Sequence, residues 1–266
     1  MLWRLTKITM EIAQMDCHSY IQRKLENNIL TLQINRPDKK NAINQQMYQT
    51  LVTELDIANQ DDTIKAILFT GTADTFTSGN DLNDFAKLRS AEDLKDVVNF
   101  LHRISTHKKP LIAAVNGLAI GIGTTLLLHC DLAFSTTESR FQLPFIHLGL
   151  CPEGASSVLL AQATGYKKAA ELLMTGKAFT GQEALEMNII NQLFPKETLL
   201  EKTHEYLDIL AQQPIQALQI TKQLLKRPQA QSITETIEVE CAHFINQLQN
   251  KETQTIIKNK LTPVKK

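Results

Sequence analysis

Between residues 109 and 125 the chain reads KPLIAAVNGLAIGIGTT, a short apolar run followed by a glycine-rich loop. The apolar part, Leu111–Val115, is typical of a strand that is buried on both faces of a sheet. A helix is predicted to start near Thr124. A strand that passes through a loop into a helix indicates one unit of an α/β fold.

Strand and helix patterns alternate outward from this stretch. Residues 30–34 alternate apolar and polar side chains, which predicts a strand with one solvated face, and residues 64–69 predict a second buried strand. With a short strand expected at 132–134, this alternation predicts right-handed βαβ units, a largely parallel sheet, and helices throughout after about Pro152. Helices are predicted at 43–58, 94–104, 167–175, 181–187, 196–211, 214–225, 233–248 and 253–260.

The composition excludes several classes of protein. The 266 residues include 28 basic and 28 acidic side chains, so a nucleic-acid binder that depends on a basic face is not expected. No apolar run approaches the roughly 20 residues that cross a membrane. The seven histidines and four cysteines lack the paired spacing of metal ligands. The scattered cysteines, and the lack of a secretory pattern in residues 1–15, favour a cytoplasmic protein.

The glycine-rich loop predicts a site for a negatively charged group. The start of a helix presents free N–H groups and the positive end of the helix dipole to an anion. Gly121 and Gly123 are not followed by the third glycine of a dinucleotide-binding loop, and there is no Gly-Lys-Thr of a P-loop. The sequence therefore argues against a nucleotide as the anion.

Three further segments contain candidate functional residues. In residues 76–82, Gly79 permits close approach of a ligand and Asp81 could cap a helix, although a plain strand-to-helix turn also explains this segment. Residues 141–150 are expected to form an apolar wall. Apolar neighbours would raise the pKa of Glu153 and suit it to act as a base. From the residues alone, a glutamate at a helix N-terminus is the preferred explanation for Glu153.

Several motifs occur in a fixed order along the chain from about Ile29 to the C-terminus. They are Asn35-Arg36-Pro37, Lys40-Asn41-Ala42-Ile43-Asn44, Ser78-Gly79-Asn80-Asp81-Leu82, residues 109–117, Cys130-Asp131, Leu148-Gly149 and residues 180–185. Together they resemble the crotonase superfamily, which contains the enoyl-CoA hydratases and isomerases.

This resemblance implies an architecture and a substrate class. The fold would be α/β, a crotonase-like spiral of ββα units in residues 15–210. A C-terminal helical region, residues 211–266, would contribute to the acyl pocket and to trimer assembly. The protein would be a homotrimer or a dimer of trimers that acts on an acyl-CoA thioester. Coenzyme A would enter as part of the substrate, so no separate cofactor is expected.

The resemblance also implies site residues. Two backbone N–H groups, carried over by motif to Ser78 and Ile122, would form an oxyanion hole around the thioester oxygen. The substrate-binding residues implied in the same way are Lys40, Ala42, Ser78, Gly79, Asn80, Asp81, Leu82, Gly121, Phe145 and Leu148.

Carboxylates distinguish the reactions of the superfamily. The two glutamates typical of hydratases correspond to Thr125 and Phe145, so water activation lacks an evident base. Glu153 instead matches the single catalytic glutamate of the delta-3, delta-2-enoyl-CoA isomerases, which shift a double bond from position 3 to position 2 in fatty-acid β-oxidation. In this context Glu153 is favoured as the catalytic base. A 2-enoyl-CoA hydratase, a ring-acyl-CoA isomerase and a non-catalytic CoA-binding homologue are the alternatives.

Overall fold

The computed structural model describes residues 20–87, 90 and 92–262, which form two sheets surrounded by helices. The strands are β1 (Ile21–Glu26), β2 (Ile29–Ile34), β3 (Ala66–Gly71), β4 (Thr75–Thr77), β5 (Leu111–Val115), β6 (Leu118–Ile120), β7 (Leu132–Ser135), β8 (Arg140–Gln142), β9 (Phe179–Thr180) and β10 (Gln192–Leu193). The α-helices are α1 (Gln45–Gln60), α2 (Leu82–Phe85), α3 (Lys95–Thr106), α4 (Ile122–His129), α5 (Ser156–Thr164), α6 (Tyr166–Thr175), α7 (Gly181–Glu186), α8 (Leu199–Ala211), α9 (Ile215–Lys226), α10 (Ala230–Gln249) and α11 (Lys251–Leu261).

The larger sheet has six strands in the order β1-β2-β3-β5-β7-β10. Only β1 is antiparallel to its neighbour, so the predicted parallel character is confirmed. Every residue of β3 and β5 is buried, as their apolar sequences predict. Ile67 and Phe69 pack in the main core on one face, and Leu68 packs against α8 in a second cluster on the other.

The smaller sheet has four strands in the order β4-β6-β8-β9. Successive pairs of strands divide between the two sheets: β3 and β4, β5 and β6, and β7 and β8 each place one strand in either sheet. A helical segment follows each pair, so the chain repeats a ββα unit, as the motif resemblance implies.

The sequence patterns missed several elements. Strands β4, β6 and β8 have three residues each, too few to show a period of two, and β1 was not predicted. The expectation of helices alone after Pro152 is wrong, because β9 and β10 complete the two sheets at their edges. Helix α5 was absent from the predicted set; the other predicted helices are confirmed within a few residues of their bounds.

The C-terminal helices pack on the body of the molecule through an apolar contact and an ion pair made by a buried lysine. Phe244 of α10 meets Phe85 edge-on, with ring centroids 5.8 Å apart. Lys222 of α9 is buried, and its Nζ lies 2.7 Å from Oδ2 of Asp131 and donates to the Lys109 carbonyl at 2.7 Å. Asp131 also accepts from the N–H of Leu111, so one carboxylate joins α9 to the start of β5.

Some expectations concern residues outside the described ranges. These are the first 15 residues, the start of the region 15–210 before Tyr20, Cys17, and the last four residues of the region 211–266. None of the described helices combines the length and the hydropathy needed to cross a lipid bilayer.

Candidate active site

The loop after β4 contains one backbone N–H group that the fold leaves unused. The N–H of Ser78 donates to the Lys40 carbonyl at 3.0 Å, and the N–H of Gly79 donates to the Thr77 hydroxyl at 3.1 Å. A parallel β-bridge between Ile43 and Asn80 occupies the groups on either side of Asn80. The N–H of Asn80 itself has no acceptor among the residues that the structure describes.

These bonds correct the assignment of Ser78. Its N–H is already committed to the loop that precedes α1, so it is not free to bind a substrate oxygen. The N–H of Asn80 is available instead. The motif indicates this loop but not which of its N–H groups is free, because the order of residues does not show which N–H groups bond to a neighbouring segment.

Further unused N–H groups lie at the start of α4. The N–H groups of Thr124 and Thr125 donate to the Gly121 carbonyl, and that of Gly121 donates to the Gln142 carbonyl at 2.9 Å. Within the described ranges, the N–H groups of Ile122 and Gly123 have no such acceptor, and both lie in the first turn of α4, where a helix has no internal partner for them. The helix dipole favours negative charge at this point.

Two glycines bring these N–H groups together. A Cβ on Gly79, whose φ is +96°, would lie 2.9 Å from the Ile120 carbonyl oxygen, so the β4 loop packs directly on the end of β6. A Cβ on Gly123 would lie 2.6 Å from Cγ2 of Thr77, so α4 packs equally closely on β4. Both contacts require glycine, and they place the Asn80 loop against the start of α4.

A cavity of about 290 Å³ opens beside these loops. The C-terminal helices contribute Phe244 and Lys260 to its wall. The predicted site residues that line it are Ser78, Gly79, Asn80, Leu82, Gly121, Phe145 and Leu148.

The predicted apolar wall is only partly present. Phe145 is buried and Leu148 lines the cavity, but Ile146 is 49% exposed and lines a different hollow, next to α6 and α11. Residues 145–148 form a 3₁₀ turn, which points successive side chains in different directions. An apolar sequence run therefore does not give a continuous apolar surface here.

Three other predicted residues lie around the base of the Asn80 loop. Asp81 caps α2, as predicted, and forms an ion pair with Arg36 at 2.7 Å. Arg36 also donates to the Ala42 carbonyl, and Lys40 accepts from Ser78. These contacts fix the conformation of the loop. They do not place the Lys40, Ala42 or Asp81 side chains in the cavity wall.

Glu153 is buried beside this loop, with 3% of its surface exposed. Its pKa is raised to about 8, mainly by burial and also by the nearby Glu240 carboxylate, while a hydrogen bond from the Asn80 side chain opposes the increase. Its Oε1 has no hydrogen-bond partner within the described part of the chain. A buried polar atom without a partner is rare, and an acceptor of this kind is typical of a functional site.

The two hydratase positions contain no acid. Thr125 is fully buried, and its hydroxyl has no partner among the described residues. A Cβ added to Gly154 would lie only 2.7 Å from Cγ2 of Thr125, so Thr125 packs against the loop that contains Glu153. Phe145 places an aromatic ring in the cavity wall. Glu153 is the carboxylate that approaches Asn80 from this side.

The alternative role for Glu153 as a helix-capping residue is wrong. Helix α5 starts at Ser156, and the carboxylate at its N-terminus is that of Glu240, from α10. Glu240 accepts from the N–H groups of Ala155 at 2.6 Å and Ser157 at 3.1 Å, and from the Ser157 hydroxyl.

Sequence reasoning missed two residues of this site, Tyr48 and Glu240. Tyr48 is fully buried on α1 and its hydroxyl donates to Oδ1 of Asn80. Its apolar ring fits the helical pattern of α1, so nothing in the sequence separates it from ordinary core residues. Glu240 is 87 positions from Glu153, which no local motif can detect.

The described residues contain no cluster of three or more histidine, cysteine, aspartate or glutamate side chains that could bind a metal ion. The site includes the free N–H groups of Asn80 and Ile122, a buried carboxylate of raised pKa and a cavity with a largely apolar wall. Such an arrangement can stabilise a developing oxyanion and transfer a proton close to it.

Comparison with known proteins gives a consistent result. Residues 24–263 match the enoyl-CoA hydratase/isomerase family. The chain is 36% identical over 222 residues to enoyl-CoA delta isomerase 2 of Rattus norvegicus, a match that covers 81% of this chain and 56% of that protein. It is 35% identical over 205 residues to 2,3-dehydroadipyl-CoA hydratase of Escherichia coli, covering 77% of this chain and 80% of the other.

The fold is similar to solved structures as well. The crystal structure of an enoyl-CoA hydratase/isomerase from Pseudoalteromonas atlantica superposes with a TM-score of 0.86 and 35% identity, over 92% of this chain and 99% of that one. The chain spans little more than half the length of the rat relative.

Proposed function

The chain belongs to the enoyl-CoA hydratase/isomerase family, whose members act on coenzyme A thioesters, and we propose that it converts a 3-enoyl-CoA to the 2-enoyl isomer. One observation carries the proposal. Asn80 provides a free backbone N–H beside the cavity, and its side chain contacts the buried carboxylate of Glu153. An oxyanion donor and a base are thus adjacent, without the two acids of a hydratase.

The reaction needs one base and one anion site. The thioester carbonyl and the neighbouring double bond make the C2 proton of a 3-enoyl-CoA acidic. Glu153 removes this proton, and the electron pair spreads over C2, C4 and the thioester oxygen as a dienolate. The N–H groups of Asn80 and Ile122 stabilise the negative oxygen. Glu153 then returns the proton at C4, which gives the conjugated 2-enoyl-CoA with no net gain or loss of atoms.

The pKa of Glu153 suits both steps. A carboxylate with a pKa of about 8 accepts a proton from carbon more readily than an ordinary glutamate does, and at neutral pH it is still able to return the proton. Its unpartnered Oε1 leaves one oxygen free to face the substrate. Burial also limits access by water, so the same proton can be returned at C4.

Hydration is the second candidate, favoured by the similarity to the Escherichia coli hydratase. That reaction requires a group to activate water at the double bond. The two positions where hydratases have acids are a buried threonine and a phenylalanine in this chain, Thr125 and Phe145. A ring-acyl-CoA isomerase or a non-catalytic binder of CoA thioesters would fit the fold equally well.

Product analysis separates these possibilities. Purified protein is given trans-3-hexenoyl-CoA or trans-2-hexenoyl-CoA, and the products are resolved by chromatography with mass detection. We expect an isomer of equal mass from the first substrate and little hydrated product from the second. Rapid hydration of the 2-enoyl substrate would overturn the proposal in favour of a hydratase, and no turnover of either would overturn it in favour of a ring-acyl-CoA isomerase or a binding protein.

The variant Glu153→Gln tests the base directly. It keeps the shape of the side chain and removes the proton acceptor, so we expect isomerase kcat to fall about 10²–10⁴-fold. The matched control is Glu54→Gln, because Glu54 is also a buried glutamate but its carboxylate is paired with Arg23 of β1. Unchanged turnover in Glu153→Gln would exclude Glu153 as the base.

A further inference from the structure

We propose that Glu153 is held between two positioning residues: Tyr48, which acts through the Asn80 side chain, and Glu240, which acts through the loop that contains Glu153. Tyr48, through Asn80, favours the charged form of Glu153, whereas the Glu240 carboxylate favours its neutral form. This inference rests on the proposed isomerase function for its catalytic consequence, but the arrangement can be tested without turnover.

Tyr48 fixes the orientation of the Asn80 amide. Its ring is fully buried against Phe100, with centroids 5.4 Å apart, so its hydroxyl has a fixed position. Burial holds the pKa of Tyr48 well above its ordinary value, and the hydroxyl therefore remains a donor. Because Oδ1 of Asn80 accepts from this hydroxyl, the NH₂ group of the amide faces away from Tyr48.

The group that Asn80 offers to Glu153 is this NH₂, because Oδ1 is already bonded to Tyr48. Its hydrogen bond lowers the pKa of Glu153, because a donor stabilises the charged carboxylate. Asn80 thus serves both parts of the proposed site: its backbone N–H is free beside the cavity, and its side chain bonds to the base. A change in the orientation of Asn80 would affect the base without displacing the backbone of the loop.

Glu240 holds the opposite side of Glu153. The backbone of Ala155 is left-handed, with a φ of +56°, a conformation that a residue with a side chain adopts only at a cost. Helix α5, which starts at the next residue, has no side chain of its own at its N-terminus. The Glu240 carboxylate accepts from the N–H groups of Ala155 and Ser157 and from the Ser157 hydroxyl, and so stabilises this strained turn.

The charge of Glu240 has a second effect. Two carboxylates in a buried region repel each other, so the anion of Glu240 raises the pKa of Glu153. Burial raises the pKa of Glu240 as well, while its bonds with Ala155 and Ser157 oppose that increase. The C-terminal helix α10 therefore influences a base that lies in the ββα spiral.

The other titratable groups near Glu153 are neutral. Burial lowers the pKa of His129 on α4 to about 4, and its Nε2–H donates to the Gly154 carbonyl at 2.7 Å. Burial raises the pKa of Cys151 to about 11 and that of Cys241 to about 12, so both remain thiols at neutral pH. Among the described neighbours of Glu153, the groups that shift its pKa are the Glu240 carboxylate, in its charged form, and the Asn80 donor.

The two positioning residues predict opposite changes, which a purely structural role would not produce. In Tyr48→Phe the Asn80 amide loses its fixed orientation, so the titration midpoint of Glu153 should rise, by about half a pH unit. In Glu240→Gln the repelling charge is removed, so the midpoint should fall by roughly one pH unit. If isomerase activity is present, Tyr48→Phe should lower kcat about tenfold and change KM little.

The midpoint is measured by infrared difference spectroscopy on the full chain. The protonated-carboxyl band that disappears in Glu153→Gln identifies the group, and its intensity is followed as a function of pH. Glu54→Gln and Tyr206→Phe are matched controls, because Glu54 is paired with Arg23 and Tyr206 contacts Gln192 away from the site. If Glu240→Gln does not fold, Ser157→Ala provides a weaker change in the same direction, since it removes a bond that stabilises the Glu240 anion.

Opposite shifts in the two variants, with unshifted controls, support the inference. Shifts in the same direction, or none, in folded variants would overturn it. A wild-type protein without isomerase turnover that still shows the opposite shifts would refute the proposed function and leave the arrangement around Glu153 established. Isomerase turnover without the opposite shifts would support the proposed function and refute the arrangement around Glu153.

Discussion

At the scale of residues, the site depends on which polar groups the fold satisfies and which it leaves free. The Ser78 N–H donates to the Lys40 carbonyl, whereas the N–H of Asn80, two positions further along the same loop, has no acceptor among the described residues. Glu153 is buried with one oxygen unpaired, while Glu240, which is also buried, accepts three hydrogen bonds. Glu240 is thereby anchored to the turn before α5, and Glu153 is left able to exchange a proton.

The raised pKa of Glu153 predicts the pH dependence of isomerase activity. The base must be ionised to act, and its pKa is raised from 4.5 to about 8. At pH 6 only roughly 1% of free enzyme would be ionised, so kcat/KM should rise about tenfold per pH unit and level off above pH 8. The measurement is kcat/KM for trans-3-hexenoyl-CoA between about pH 5.5 and 9.5. A profile that is already flat at pH 6 would contradict the assignment of Glu153 as a base of raised pKa.

At the scale of elements, the two free N–H groups are brought together by close packing of α4 on β4. Gly123 has no side chain, and this allows the first turn of α4 to approach Thr77. The hydroxyl of Thr77 donates to the Asn41 carbonyl and accepts from the N–H of Gly79, so the same residue supports the Asn80 loop. The oxyanion site proposed here therefore depends on a helix-to-strand contact.

Gly123→Ala should displace α4 and weaken this site. The added Cβ would lie 2.6 Å from Cγ2 of Thr77, so the helix must shift. We expect kcat to fall roughly 10- to 100-fold, less than the 10²–10³-fold cost of removing a donor outright. Adding Thr77→Ser removes the clashing methyl group and keeps the hydroxyl, and should restore most of the activity. Steady-state kinetics of the single and double variants measure both effects, and a double variant no better than the single one would contradict this explanation.

At the scale of the whole molecule, the C-terminal helices are part of the site as well as of the fold. Phe244 and Lys260 line the cavity, and Glu240 contacts the loop of Glu153. The ion pair between Lys222 and Asp131 joins these helices to the central sheet. Burial lowers the pKa of Lys222 to about 8, although the nearby Asp131 carboxylate favours its charged form.

Lys222→Met should therefore destabilise the protein. It removes the Lys222 ammonium from Asp131 and from the Lys109 carbonyl, and leaves Asp131 with the Leu111 N–H and a longer contact of 3.9 Å to Lys226. We expect a loss of about 2–4 kcal/mol in the free energy of unfolding, towards the lower end because Asp131 is partly exposed. Denaturant unfolding gives this value. The control, Lys202→Met, breaks an exposed pair with Glu205 and should change the stability by less than about 0.5 kcal/mol; equal losses in both variants would contradict the argument.

Most of the fold could be predicted from sequence because its elements have strong local patterns. Leu111–Val115 and residues 66–69 are apolar throughout and form the centre of the larger sheet. The long helices from Tyr166 onward were expected within a few residues of their ends. The three-residue strands of the smaller sheet were not, because they are defined by pairing with distant segments and not by their own residues.

The sequence by itself determined the family, the absence of acids at positions 125 and 145, and the presence of a glutamate at position 153. Each of these follows from which residues occupy the motif positions, so it can be read from the sequence alone. Only the tertiary structure decided that Asn80 rather than Ser78 has the free N–H, that Glu240 caps α5, and that Tyr48 orients Asn80. Each of these depends on which groups meet across tens of residues of chain. Contacts between distant segments determine which polar groups are hydrogen-bonded and which side chains are buried, and a local sequence pattern does not show those contacts.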